Sequence, residues 1–235
     1  MAEGPFYKVL NDRGGAIYGN GKWGLPSDRR PGKWMKAKGA LVPCENGLHL
    51  CRRDDLIDWL GPRVFLAEAS GDEIVESYNK IVVRRARLTS EFKTWNDRSA
   101  RLFAADCAER VLPIFEAEHP DDFRPRQAIE TARQFARGNV DDAARAAARD
   151  AAWAAARDAT GGAAWAAAWA AAGAAAWDAT GATAGDAAWA AAGAAAGAAA
   201  GAAAWDATGA TARRWQTDRL FEYLDGSLMS GASSG

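Results

Sequence analysis

Apolar and polar residues alternate in short runs through the first ninety-five positions, and from position 96 onward the apolar residues recur near helical spacing. Residues 6–10 and 16–18 flank Asn11, Asp12, Gly14 and Gly15, a hairpin signal. Pro26, Pro31 and Gly32 punctuate a loop, and residues 34–42 and 48–51 look extended. Asp54 or Asp55 caps a short helix through Leu56, Ile57, Trp59 and Leu60, which Gly61-Pro62 closes. Residues 63–69 and 80–88 are the two strongest strands. The second places Val83, Arg85 and Arg87 on one face and Val82, Arg84, Ala86 and Leu88 on the other. The pattern predicts a small sheet with one packed helix.

From residue 96 the period changes. Asn96 or Asp97 caps a run in which Leu102, Phe103, Cys107, Val111, Leu112, Ile114 and Phe115 share helical spacing, with Pro113 predicting a kink or break. A second helix starts near Pro125 and stops at Gly138, so residues 96–140 form a helical hairpin.

Residues 141–213 follow a rule of four. Every fourth position from Arg145 to Arg213 is Arg, Trp or Gly, and residues 143–212 hold 42 alanines without one Val, Ile, Leu, Met, Phe or Tyr. Alanine is the strongest helix former, so helix is the default. Four residues advance about 400° around a helix, so the special slot drifts about 40° per repeat and one straight rod cannot keep it facing a partner. The tract is expected to break at the Asp-Ala-Thr-Gly segments 158–161, 178–181 and 206–209, leaving helices over 162–177 and 186–205. Asp158, Asp178 and Asp206 would then stand at helix C-termini, where the dipole disfavours them. Indoles seated in glycine notches are the expected core, with Trp165, Trp169, Trp177, Trp189 and Trp205 lying beside Gly193, Gly197 and Gly201 and driving self-association into a homo-oligomer. A closing helix over 214–229 and a tail over 230–235 complete the chain. The expected fold class is α+β: a sheet domain with one or two helices over 1–95, then an all-α, Ala/Gly/Trp-rich bundle.

Composition narrows the function classes. The formal net charge is −1, divided as +4 over residues 1–95 and −5 over 96–235, so no strong global field draws the chain to nucleic acid or membrane. No leader of basic, apolar and small residues opens the sequence and no strongly apolar run of 18 occurs, so a cytoplasmic protein without membrane partners is expected. Three cysteines fit a reducing compartment better than a disulfide framework.

Two local features carry candidate chemistry. Residues 22–38 set Arg29, Arg30, Lys33 and Lys36 around Trp23 and Trp34, a patch suited to an anionic ligand whose rings stack on indoles. With His49 and Arg85 these form the candidate ligand-binding set. In the second, Cys44-Glu-Asn-Gly47-Leu-His49-Leu-Cys51, a turn precedes a strand that puts His49 and Cys51 on one face. Zinc needs three or four donors, and Cys107 and His119 lie on the far helical segment, so neither metal nor cofactor is expected and a locally hydrogen-bonded histidine is the better reading. No catalytic constellation is apparent.

Three resemblances attach to these residues. The C-x-x-G-[LF]-H-x-C stretch at Cys44–Cys51, between the Tyr7-Lys8-Val9 strand and the VFLAEA and KIVVRRARL strands, resembles an uncharacterised domain of bacteriophages and prophages over about residues 5–95. The same strand order is similar to the split-sheet core of ADP-ribosyltransferases, which would imply a nucleotide-handling enzyme using His49, an Arg and either Glu68 or Glu73. The string ADCAERVLPIFEAEHPDDFRPRQAIETARQFARG with the Ala-rich helix after it resembles a bacterial family of putative immunity proteins over roughly residues 100–155, where immunity means neutralising a toxin by binding. Together they point to a non-catalytic phage-type binding protein that neutralises a host defence or toxin component, or sequesters an anionic nucleotide-derived signal. The alternatives are the ADP-ribosyl enzyme and a structural self-assembly module.

Overall fold

The computed structural model describes residues 5–71, 73–159, 162–175 and 209–230, and the chain divides into two compact units, Met1–Lys93 and Thr94–Gly235. The α+β expectation holds, with antiparallel sheets in the first unit and packed helices in the second.

The first unit holds β1 (Phe6–Leu10), β2 (Met35–Lys36), β3 (Leu48–Leu50), a 3₁₀ helix (Arg53–Trp59), β4 (Arg63–Ala69), β5 (Ile74–Ser77), β6 (Lys80–Val83) and β7 (Arg85–Glu91). Its strands form two antiparallel sheets, ordered β1-β4-β7-β2 and β3-β6-β5. Phe6 pairs with Ala67 and Leu10 with Arg63, while a mutual pair of backbone hydrogen bonds between Tyr7 and Cys51 ties the end of β3 to β1. Phe6, Leu10, Trp23, Leu50, Phe65, Ile81, Val83 and Leu88 form one core drawn from both sheets.

The run 80–88 is not one strand. It breaks at Arg84, whose Nε donates to Glu73 Oε2 at 2.9 Å and whose Nη1 donates to the carbonyls of Ala37 and Gly39, so β6 joins one sheet and β7 the other. The extended stretch expected over 34–42 contracts to Met35–Lys36, and 16–18 makes only bridge contacts, Leu10 with Ala16 among them.

The second unit contains α1 (Asp97–Glu118), α2 (Arg124–Ala136), α3 (Asp142–Asp158), α4 (Gly162–Ala175), α5 (Gly209–Leu224) and the short α6 (Ser227–Ser230). A capping box starts α1: Asn96 Oδ1 accepts from the Ser99 amide while Ser99 Oγ accepts from the Asn96 amide. Of the kink or break expected at Pro113, no break occurs: the helix runs on through it. One backbone bond is forgone there, and the buried Val111, Leu112 and Phe115 on either side hold the turn by packing. Gly138, at φ 78°, ends the second helix where the sequence placed its stop.

Helix α4 packs against α1, α2 and α3. Its buried residues are alanines, including Ala164, Ala167, Ala168, Ala170, Ala171 and Ala172 at 0% exposure, while Trp165 is 45% exposed. In α4 the alanines are thus the buried side chains and Trp165 stands half exposed, while Gly193, Gly197 and Gly201, the expected notches, lie outside the described residues. Methyl side chains let helix axes approach closely, and an indole does not fit between axes so spaced. Asp158, an awkward residue at the end of α3, accepts from Arg124 Nη2 at 2.8 Å, which offsets the dipole penalty. Asp106 of α1 is the main polar tie: it accepts from Arg133 of α2 at 2.8 Å and from Arg219 and Tyr223 of α5 at 2.8 and 2.7 Å.

Candidate functional site

A cavity of about 710 Å³ opens in the first unit. Its walls come from β1, the glycine-rich loop 11–22, the loop 44–47 with β3, and the end of the 3₁₀ helix. Asn11 shapes the first loop: its Oδ1 accepts from the amides of Arg13 and Gly15 at 3.0 and 2.9 Å, and Gly14 turns at φ 75°. Gly47 shapes the second. It lies at φ 129°, and a Cβ there would sit 2.2 Å from Val82 Cγ1, so only glycine lets this loop close against β6.

Two lysines face the space. Lys8 shares the parity of Phe6 and Leu10 on β1, so its side chain enters on the core face. Its Nζ lies 5.3 Å from the ring centroid of Trp23. Burial, opposed by Cys51, pulls its pKa down to about 8. Lys80 stands at the rim, with Nζ 5.0 Å from the Trp59 centroid and donating to Cys44 Sγ at 3.0 Å. Trp59 is fixed by its Nε1, which donates to the Asn79 carbonyl at 2.7 Å, and Tyr18 meets its edge at 6.0 Å.

His49 lines the cavity but has both ring nitrogens engaged. Nε2 accepts from the Cys44 amide at 2.9 Å, which leaves the proton on Nδ1, 3.2 Å from the Gly47 carbonyl. Burial first, and then Lys8, hold its pKa below the usual histidine value, so it stays neutral and clamps its own loop. The Cys51 thiol donates to the Tyr7 carbonyl and is pushed up to about 12 by burial. Among the described residues no three His, Cys, Asp or Glu side chains converge on a point fit for a metal.

Of the predicted ligand residues, Trp23 and His49 lie in the cavity wall, and Arg29, Arg30, Lys33, Trp34, Lys36 and Arg85 do not. Arg29, Arg30, Lys33 and Lys36 are exposed, and the guanidinium carbons of Arg85 and Arg87 lie 4.5 and 4.7 Å from the Trp34 ring centroid. Glu68 pairs with Arg87 and Glu73 with Arg84, both away from the cavity. Sequence reasoning passed over Lys8, Trp59 and Lys80. The one signal for Lys8 was a lysine inside an otherwise apolar strand; its face could not be read, because Tyr7 and Val9 are buried like Phe6 and Leu10.

The second unit carries a different feature. Trp153 of α3 packs on Trp169 of α4 at 4.5 Å, and Trp169 on Trp165 at 5.2 Å, with Trp153 and Trp165 exposed. These three occupy special slots of the four-residue repeat. Of the predicted oligomerisation residues, Trp165 and Trp169 belong to this cluster; Trp177, Trp189, Gly193, Gly197, Gly201 and Trp205 lie outside the described residues. Among the described residues no helix is long and apolar enough to cross a membrane.

A protein family described as Imm-5 like putative immunity protein matches residues 90–223. No curated protein and no solved structure matches the chain.

Proposed function

The chain belongs to the Imm-5 like putative immunity protein family, and from that premise we propose that it is a phage-type binding protein that neutralises a toxin or host defence component non-catalytically, by occupying it in the cytoplasm. The family match carries this reading, because it covers the helical unit nearly end to end. The proposed contact surface is the indole cluster of Trp153, Trp165 and Trp169. Exposed aromatics that already touch one another lose little side-chain freedom on binding, and such residues are enriched at the anchors of protein interfaces. Self-association over the same indoles is the second reading, favoured by their exposure on a monomer surface.

Stoichiometry tests the proposal. Purified chain is titrated into the activity assay of a candidate toxin whose poisoning of cells the chain relieves. Neutralisation is expected to saturate at a fixed molar ratio, and Trp153→Ala with Trp165→Ala is expected to weaken binding at least tenfold. Complete neutralisation at a small fraction of the toxin concentration would mean turnover and overturn the non-catalytic reading. Sedimentation across a hundredfold concentration range separates the two uses of the surface: a strictly monomeric chain removes self-association.

A further inference from the structure

The cavity of the first unit is untouched by the family match and by the toxin-binding reading, since its lining residues run from Tyr7 to Lys80 and the match begins at residue 90. Its size falls in the range of roughly 300–1,000 Å³ that small-molecule sites occupy. Its composition is also that of a ligand site, with walls of Val9, Trp23, Met35, Leu48 and Leu50 carrying a few polar groups.

Charge decides what such a ligand must be. Lys8 and Lys80 each lie over an indole, and among the described residues neither is paired with a carboxylate. The other charged and titratable groups around the space are His49 and Cys51 from β3, Asp58 from the 3₁₀ helix, and Cys44 and Glu45 from the loop before β3. Tyr7 of β1 and Tyr18 of the glycine-rich loop complete them. His49 is neutral and both its nitrogens are used; Cys51 holds its proton; Asp58 and Glu45 are exposed. The interior therefore carries positive charge without an interior counterion. A buried ammonium without a partner is costly, and an anion entering beside it recovers that cost. The indoles of Trp23 and Trp59 add flat surfaces, and a ring stacked on either displaces water from apolar wall.

We infer that this cavity binds a planar aromatic small molecule bearing an anionic group, the ring resting against Trp23 or Trp59 and the anion paired with Lys8. Lys8 sets the depth of the anion, and Lys80 draws it in at the rim. The aromatic-plus-anion pattern is shared by nucleoside monophosphates and by aromatic carboxylates, and the probes separate these sources.

Four probes are titrated into the full chain by calorimetry, with tryptophan fluorescence as second readout: adenosine 5′-monophosphate, 2-naphthoate, adenosine and inorganic phosphate. At least one of the two ring-bearing anions is expected to bind at least tenfold more tightly than adenosine and phosphate, and the better of the two identifies the source. Lys8→Met is expected to reduce that affinity at least tenfold, Lys80→Met by a smaller factor, and Lys8→Arg to restore part of the loss. Raising the pH from 7 to 9.5 is expected to weaken binding to the wild type but not to Lys8→Met, because the Lys8 charge is lost above about 8. Absence of binding by both ring-bearing anions at 1 mM overturns the inference. So does equal binding of adenosine alone, which would mark an uncharged apolar pocket, or an affinity that neither lysine substitution nor pH changes. Should Lys8→Met fail to fold, Lys80→Met and the wild-type pH profile still decide.

Discussion

At the scale of single residues, Lys8 has the most to reveal, because its position costs stability. Its amine titrates near 8 in the folded chain, against 10.5 for an exposed lysine. Between those two values the unfolded chain keeps a proton that the folded chain has released, so this group makes stability rise with pH across that window. Below about pH 8 the folded state bears the full penalty of a buried charge. Lys8→Met is therefore expected to stabilise the apo protein by about 1–3 kcal/mol at pH 7, with the gain largely gone by pH 10.5. Thermal melts of both proteins at the two pH values check this, and an equal difference at both refutes it. The cysteines give a second residue-scale expectation. Cys44 is exposed, whereas burial raises the Cys51 and Cys107 thiols far above neutral pH. Maleimide at pH 8 should label Cys44 alone in the folded chain, and all three after denaturation; mass spectrometry of the native sample showing a second adduct would contradict the burial. The odd cysteine count suggested reduced thiols, but which of them faces water depends on the Tyr7–Cys51 strand contact, a pairing forty-four residues apart that no local pattern encodes.

At the scale of elements, local signals were legible and long-range ones were not. Residues 6–10 and 63–69 are short apolar runs beside turn formers and became β1 and β4 with those bounds, and Asn96, Pro125 and Gly138 marked helix ends through their own backbone chemistry. The split at Arg84 was hidden, because the groups that capture it sit on Glu73 and on the carbonyls of Ala37 and Gly39. Within the described residues the alanine tract was legible as helix in α3 and α4, but which side chains those helices bury was not. Periodicity located the special slots but not which face the bundle would bury, and in α3 those slots drift from the buried Arg145 through Arg149 to the exposed Trp153. A comparison follows from this arrangement. Ala168→Leu adds three carbons at a fully buried position of α4, and overpacking of that kind costs about 1–3 kcal/mol. Trp165→Ala removes a half-exposed ring and should cost under about 1 kcal/mol. Urea titration of the two variants checks the order. If the tryptophan change proves the more damaging, the indoles rather than the alanines hold the helices together.

At the scale of the whole molecule, two surfaces with unlike chemistry belong to two separately packed units. The indole cluster lies within Thr94–Gly235, and the lysine-bearing cavity within Met1–Lys93. No residue serves both, so neither binding event needs the side chains of the other. Reciprocity makes this testable, because any coupling must appear equally in both directions as a change in equilibrium affinity. Lys8→Met should weaken the response to an aromatic anion at least tenfold while leaving the toxin dissociation constant within about twofold. Trp153→Ala with Trp165→Ala should do the opposite. The combined variant should lose both, with an interaction energy no larger than about 0.5 kcal/mol, as expected for sites without shared partners. A larger value, or tighter toxin binding in the presence of a saturating aromatic anion, would mean that the first unit is a sensor acting on the second. Neutralisation would then be conditional on a small molecule, and the two-site separation argued from the lining residues would fail.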